Sequence, residues 1–142
     1  MIWVVDASVA VRWFLEKETH PYADRILEGL LSQPERFAVP ELFCFEVYAV
    51  LCRMHSRGHE VFVKGMIPIL NSGILRYPMT ESLAIQASLY VKKGLTGYDA
   101  CYAALAKEVK GVWLTFDEKA HNIIIKERLS HNLTQTLPRR LV

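Results

Sequence analysis

Four carboxylates stand in text where carboxylates are costly. Asp6 follows the apolar run IWVV, and Glu46 lies inside PELFCFEVYAVLCRM. Asp99 opens DACYAALA, and Asp117 closes VWLTFD. Glu46 is the most informative. On a helix its neighbours three and four positions away are Leu42, Phe43, Ala49 and Val50, all apolar. A lone carboxylate on such a face loses hydration unless it is paired, protonated or bound to a cation. A distant arginine, or a reach to solvent, explains Glu46 about as well as a functional role does. For the other three, helix capping is the ordinary explanation. Asp6-Ala7-Ser8 suits a strand-to-helix turn. Thr96-Gly97-Tyr98-Asp99 is a loose capping box, and Thr115-Phe116-Asp117-Glu118 has the same grammar. Capping three helices, however, leaves Glu46 unexplained. If the four converge, each pair within about 4 Å repels by roughly 4 kcal/mol at an effective dielectric of about 20. A few such pairs rival the ~5–15 kcal/mol that keeps a domain folded. Protonation or a hard cation makes the cluster tolerable, and an all-oxygen donor set favours Mg²⁺ or Mn²⁺ over zinc.

Positioning these residues takes an alternation of strands and helices. Residues 2–5 form a short apolar run that reads as a buried strand, followed by a helix over 7–15. Pro21 suits the first turn of a helix over 21–32, and 37–39 reads as a second strand. A long helix is expected over 40–57, stopped by Gly58. A helical stretch over 61–70 should kink or end at Pro68. Residues 74–77 read as a strand, Thr80 caps a helix to Lys93, and 98–110 makes another helix ended by Gly111. A strand over 112–116, a helix over 118–129 and a last strand over 134–137 complete the chain. The expected architecture is a single α/β domain over 1–142, three layers deep, with a mainly parallel central sheet. In such a sheet, right-handed crossovers put the strand ends holding Asp6 and Asp117 on one edge. The start of the helix holding Asp99 belongs near that edge too.

Composition excludes several classes. At 142 residues and 51% hydrophobic, the chain can bury a core and is not disordered. A net charge of +2 does not mark a nucleic-acid binder, so the distribution of charge must carry that argument. No apolar run is long enough to span a membrane, and the first residues lack the basic and cleavage regions of a secretory signal. Cys44, Cys52 and Cys101 are odd in number and lie in apolar helical text, as buried thiols of a reducing cytoplasm would. The five histidines show no zinc-like spacing and are expected at the surface.

The segments VVDASVAVRWF, ELFCFEVYAVL, LTGYDACYAALA and VWLTFD, in this order, resemble PIN-domain ribonucleases. Within that family the resemblance is to VapC-type toxins of bacterial and archaeal toxin–antitoxin pairs. It implies a PIN-like fold and a site made of Asp6, Glu46, Asp99 and Asp117. That site would use Mg²⁺ or Mn²⁺ to hydrolyse RNA phosphodiester bonds. Asp6, Asp99 and Glu46 would hold the main ion, and Asp117 a second ion or the water. Ser8 and Thr115 fall where the family often has a hydroxyl orienting the acids, although plain capping accounts for them as well. The resemblance further implies an RNA substrate (tRNA, rRNA or mRNA), a cognate antitoxin, a homodimer and a cytoplasmic location. A basic rim drawn from Arg12, Lys17, Lys92, Lys93, Lys119, Arg139 and Arg140 would offset the repulsion between RNA and an acidic pocket. Trp13 and Phe14 are open to stacking on a base or to core packing.

Other readings fit parts of the text. A non-catalytic interaction module on the same fold would not need all four acids. A phospho-accepting receiver domain would want an acid beside Asp6, and Val5 and Ala7 are there instead. A housekeeping RNA-processing enzyme would share the site and lack the antitoxin. A flap-type DNA nuclease would need clamping elements for which the chain is short.

Overall fold

The structure, a computed structural model, describes residues 1–141. Its sheet has five parallel strands: β1 (Trp3–Val5), β2 (Phe37–Pro40), β3 (Leu75–Tyr77), β4 (Val112–Thr115) and β5 (Ser130–Asn132), in the order β3-β2-β1-β4-β5. β1 is central, pairing Val4 with Ala38 on one side and Val5 with Leu114 on the other. Being buried on both faces, β1 and β2 are continuously apolar rather than alternating, and β4 is so up to the buried Thr115. From β1 the chain first builds outward to β2 and β3, then returns to add β4 and β5 on the other side. This reversal puts the topological switch point between the carboxyl ends of β1 and β4, where open parallel sheets form a crevice.

The helices are α1 (Ala7–Ala10), α2 (Pro21–Ser32), α3 (Leu42–Met54), α4 (Gly58–Val61), α5 (Ile67–Leu70), α6 (Glu81–Lys92), α7 (Gly97–Glu108) and α8 (Glu118–Ile123). α7 packs on β1, β2 and β4, and α6 packs on α7. Residues Ala100 to Ala106 of α7 are all buried, so this helix is a core element with no solvent stripe. Its four alanines let it lie close to both the sheet and α6.

Several boundaries differ from the sequence expectation. The first helix is only α1, continued by a 3₁₀ turn over Val11–Trp13. α3 ends at Met54, where the His55 N–H donates to the Leu51 carbonyl, and Gly58 starts α4 instead of stopping α3. Gly58 is required there because a Cβ would run into the Leu51 carbonyl. Pro68 does not end its helix. It sits in the first turn of α5, directly after a π-helical stretch over Phe62–Met66 that absorbs the missing N–H. Gly111 lies against the Ile2 carbonyl, leaving no room for a side chain. The last strand is β5, not 134–137. The Asn132 carboxamide oxygen accepts from both the Thr134 N–H and its hydroxyl, which turns the chain there. Among the described residues, no helix is long and apolar enough to cross a membrane. Cys44 and Cys101 are buried as expected, whereas Cys52 is exposed.

Candidate metal centre

Asp6 is the first residue after β1, and its N–H donates to the Leu114 carbonyl of β4, so it continues the ladder to the sheet's edge. Its side chain caps α1, with Oδ2 accepting from the Ser8 N–H at 2.9 Å. The other oxygen, Oδ1, accepts from the indole N–H of Trp113 at 3.0 Å. Asp6 is 8% exposed, and burial raises its pKa despite these bonds, with Asp117 adding a like-charge push.

Asp117 follows β4 and caps α8, accepting from the Ala120 N–H at 2.9 Å. Its own N–H donates to the Thr115 hydroxyl at 3.0 Å, and the adjacent Phe116 N–H donates to the Ser8 hydroxyl at 3.2 Å. Ser8 and Thr115 thus hold the backbone that carries Asp117, and Ser8 also tethers Asp6.

Asp99 is different. The cap of α7 is Thr96, whose hydroxyl accepts from the Asp99 N–H at 3.1 Å. The Asp99 carboxylate therefore has no capping duty. Desolvation, then the charges of Asp6 and Asp117, push its pKa up to about 6. It lines a cleft of about 260 Å³ together with Asp117, Thr96 and Lys119. Glu46 reaches in from α3 and accepts from the Tyr102 hydroxyl at 2.7 Å. Its pKa is raised, first by burial and then by Asp6 and Asp99.

Each of the four is therefore near another of the set, and among the described residues none of them forms a salt bridge. Among the described residues, lysines and arginines pair with Glu28, Glu41, Glu60 and Glu127 instead. Among those residues, no three His, Cys, Asp or Glu side chains are already gathered as a ligand cage. Carboxylates without a cation between them repel, so standing apart is what electrostatics requires. The donor chemistry, all carboxylate oxygen and without thiol or imidazole, fits a hard divalent cation.

The rest of the sequence-derived set divides. Arg12 lies over the Phe116 ring at 4.0 Å and is held by the Ser8 carbonyl, which places it beside the acids. Lys119 is on the cleft wall. Lys93 is paired with Glu127 at 2.8 Å. Arg139 and Arg140 line a different cavity with Trp3 and Val112, at the starts of β1 and β4, and so at the far end of the sheet. The Trp13 indole donates to the Ala23 carbonyl at 2.8 Å, and Phe14 packs against Gly65, so both serve packing. His20 caps α2, and His121 is half-buried with its Nδ1 at 2.7 Å from the Ser130 hydroxyl.

Sequence reasoning passed over Tyr102 and Trp113. A signal was present: Tyr102 is three residues after Asp99 on one helix face, and Trp113 shares a strand face with Thr115.

The PIN domain family model matches residues 3–125. The chain belongs to the PIN domain family. Ribonuclease VapC3 of Pyrobaculum aerophilum is 30% identical over 121 residues, covering 82% of this chain and 89% of that protein. Among solved structures, FitAcB from Neisseria gonorrhoeae superposes with a TM-score of 0.70 at 15% identity, covering 95% of this chain and 100% of the other. Mycobacterium tuberculosis VapC20, described as a Sarcin-Ricin loop cleaving toxin, gives 0.67 at 18% identity over 84% of this chain and 93% of that one. These structural likenesses establish the fold, and a five-stranded parallel sheet with helices about it is the PIN architecture expected from the residues.

Proposed function

We propose that this PIN-domain chain is a Mg²⁺- or Mn²⁺-dependent endoribonuclease acting as the toxin of a toxin–antitoxin pair. One observation supports the reading: carboxylates from α3, α7 and the ends of β1 and β4 lie around the switch point, near enough that Asp6 and Asp99 push up the Glu46 pKa and Asp6 and Asp117 push up that of Asp99. The sequence likeness to VapC3, a ribonuclease by name, supports the reaction class. Asp6, Asp99 and Glu46 hold the principal cation, and Asp117 holds a second one or orients the attacking water. When bound, the cation supplies Lewis-acid stabilisation of charge on the scissile phosphate and eases water ionisation. The chain supplies the rest. Ser8 and Thr115 fix the backbone around Asp117, and Arg12 and Lys119 attract the RNA backbone to an otherwise repulsive pocket.

The antitoxin then occupies the acidic cleft, setting an Arg or Lys near the carboxylates. A homodimer and a cytoplasmic location complete the proposal. A Klebsiella pneumoniae toxin–antitoxin complex, superposing with a TM-score of 0.61 at 17% identity, supports an antitoxin partner.

The test is incubation of the purified chain with a panel of tRNAs and rRNA in Mg²⁺, in EDTA, and as Asp6→Asn or Asp99→Asn. Cleavage is expected in Mg²⁺ alone, leaving a 5′-phosphate and a 3′-hydroxyl. Cleavage that persists in EDTA and in both variants would reject the chemistry. A neighbouring small reading frame for a DNA-binding antitoxin separates toxin from housekeeping nuclease.

A further inference from the structure

The Tyr102 and Trp113 rings are stacked, with centroids 5.7 Å apart and planes 12° from parallel. One ring belongs to α7 and the other to β4, and both are buried, at 1% and 0% exposed. Each turns its single polar hydrogen onto a different carboxylate. The Tyr102 hydroxyl donates to Glu46 Oε1 at 2.7 Å, and the Trp113 Nε1–H donates to Asp6 Oδ1 at 3.0 Å.

We infer that Tyr102 and Trp113 are a coupled pair of positioning residues that aim the cation-facing oxygens of Glu46 and Asp6. The inference rests on the reading of the four acids as a cation site. Its physical basis is threefold. First, phenol and indole are neutral donors. They fix a carboxylate's orientation without supplying a positive charge that would compete with a metal ion. Second, the bonds leave free acceptors: Asp6 has one bond on each oxygen, and each oxygen can accept another. On Glu46, Oε1 takes the phenol, and among the described residues Oε2 takes no hydrogen bond. Third, stacking and burial hold both donors in place. Glu46 is thereby anchored in spite of its flexible side chain, and α3 and β1 are tied to one rigid unit. Partners behind metal ligands commonly act this way, and their loss typically costs about 10–100-fold in metal affinity.

The test uses the full chain and Mg²⁺ alone. In ¹⁵N-labelled protein the indole N–H signal of Trp113 is expected to shift saturably with Mg²⁺, while those of Trp3 and Trp13 serve as internal references. By calorimetry, Tyr102→Phe and Trp113→Phe are each expected to bind Mg²⁺ about 10-fold more weakly. The Mg²⁺ concentration for half-maximal RNA cleavage should rise by the same factor. A wild-type chain that binds Mg²⁺ with an unmoved Trp113 signal overturns the pairing, whatever the variants' stability. So does wild-type affinity in Tyr102→Phe, which removes one hydroxyl and leaves the ring. If the wild-type chain binds no Mg²⁺ at all, the cation reading falls and this inference falls with it.

Discussion

Among the described residues Asp99 forms no salt bridge, and it is half-buried beside two other acids, which is why its pKa rises to about 6 despite a hydrogen bond with Thr96. A carboxylate raised in the folded state binds more protons there than in the unfolded chain. It is stabilising below its unfolded value of 3.8, and that contribution is lost as pH rises through about 6. Asp99→Asn removes this penalty. In EDTA, the variant's melting temperature relative to wild type should therefore be higher at pH 7.5 than at pH 5. An equal difference at the two pH values would contradict the placement of Asp99 among like charges. Arg12 offers a second test at this level. It is held over Phe116 at the rim, so Arg12→Gln should weaken RNA binding several-fold. The slope of log affinity against log salt should fall by about 0.7, the value for one single-strand phosphate contact. An unchanged slope would remove Arg12 from the interface.

Among the elements, α7 bears the most constraint, because it is buried from Ala100 to Ala106 while presenting Asp99 at its amino end. Its alanines set its distance from the sheet. Ala103, fully buried, has no space for a larger side chain, so Ala103→Leu should destabilise by about 1–3 kcal/mol on denaturant unfolding. The Thr96 cap fixes the first turn, and Thr96→Ala should cost about 1 kcal/mol. It should also reduce cleavage, since it frees the turn that aims Asp99. Loss of stability without loss of cleavage would show that the cap serves the helix alone.

For the molecule as a whole, the proposed cation site would make folding and cation binding one linked equilibrium. Asp6, Glu46 and Asp99 all have raised pKa values, so the cation-free chain should lose stability as pH climbs and they ionise, with the Asp99 share lost as pH rises through about 6. If Mg²⁺ binds the folded state as proposed, it adds about 2.7 kcal/mol at 100 times its dissociation constant. The gain in melting temperature on adding Mg²⁺ should accordingly be larger at pH 7.5 than at pH 5, where protons compete for the same oxygens. A gain independent of pH, or one surviving Asp6→Asn intact, would place the ion elsewhere.

The amino-acid sequence alone determined the order of elements, the parallel sheet and the identity of the four unusual acids. Each of these follows from local signals: apolar runs, Pro and Gly punctuation, and a carboxylate such as Glu46 on an apolar helix face. It also read the capping role of Asp6 and the Thr96–Asp99 box, in which the Thr96 hydroxyl accepts from the Asp99 N–H, whereas in the Thr115–Glu118 segment the cap is Asp117. Contacts between distant segments were beyond its reach. That Gly58 yields to the Leu51 carbonyl, that Asn132 turns the chain and that Arg139 and Arg140 lie at the sheet's far end are matters of packing. The same holds for Tyr102 and Trp113. Local pattern marks them as core aromatics, and only the stacking of α7 on β4 aims their lone N–H and O–H at Asp6 and Glu46. Periodicity and turn chemistry act over a few residues, whereas a site assembled from four elements depends on how the sheet orders its strands.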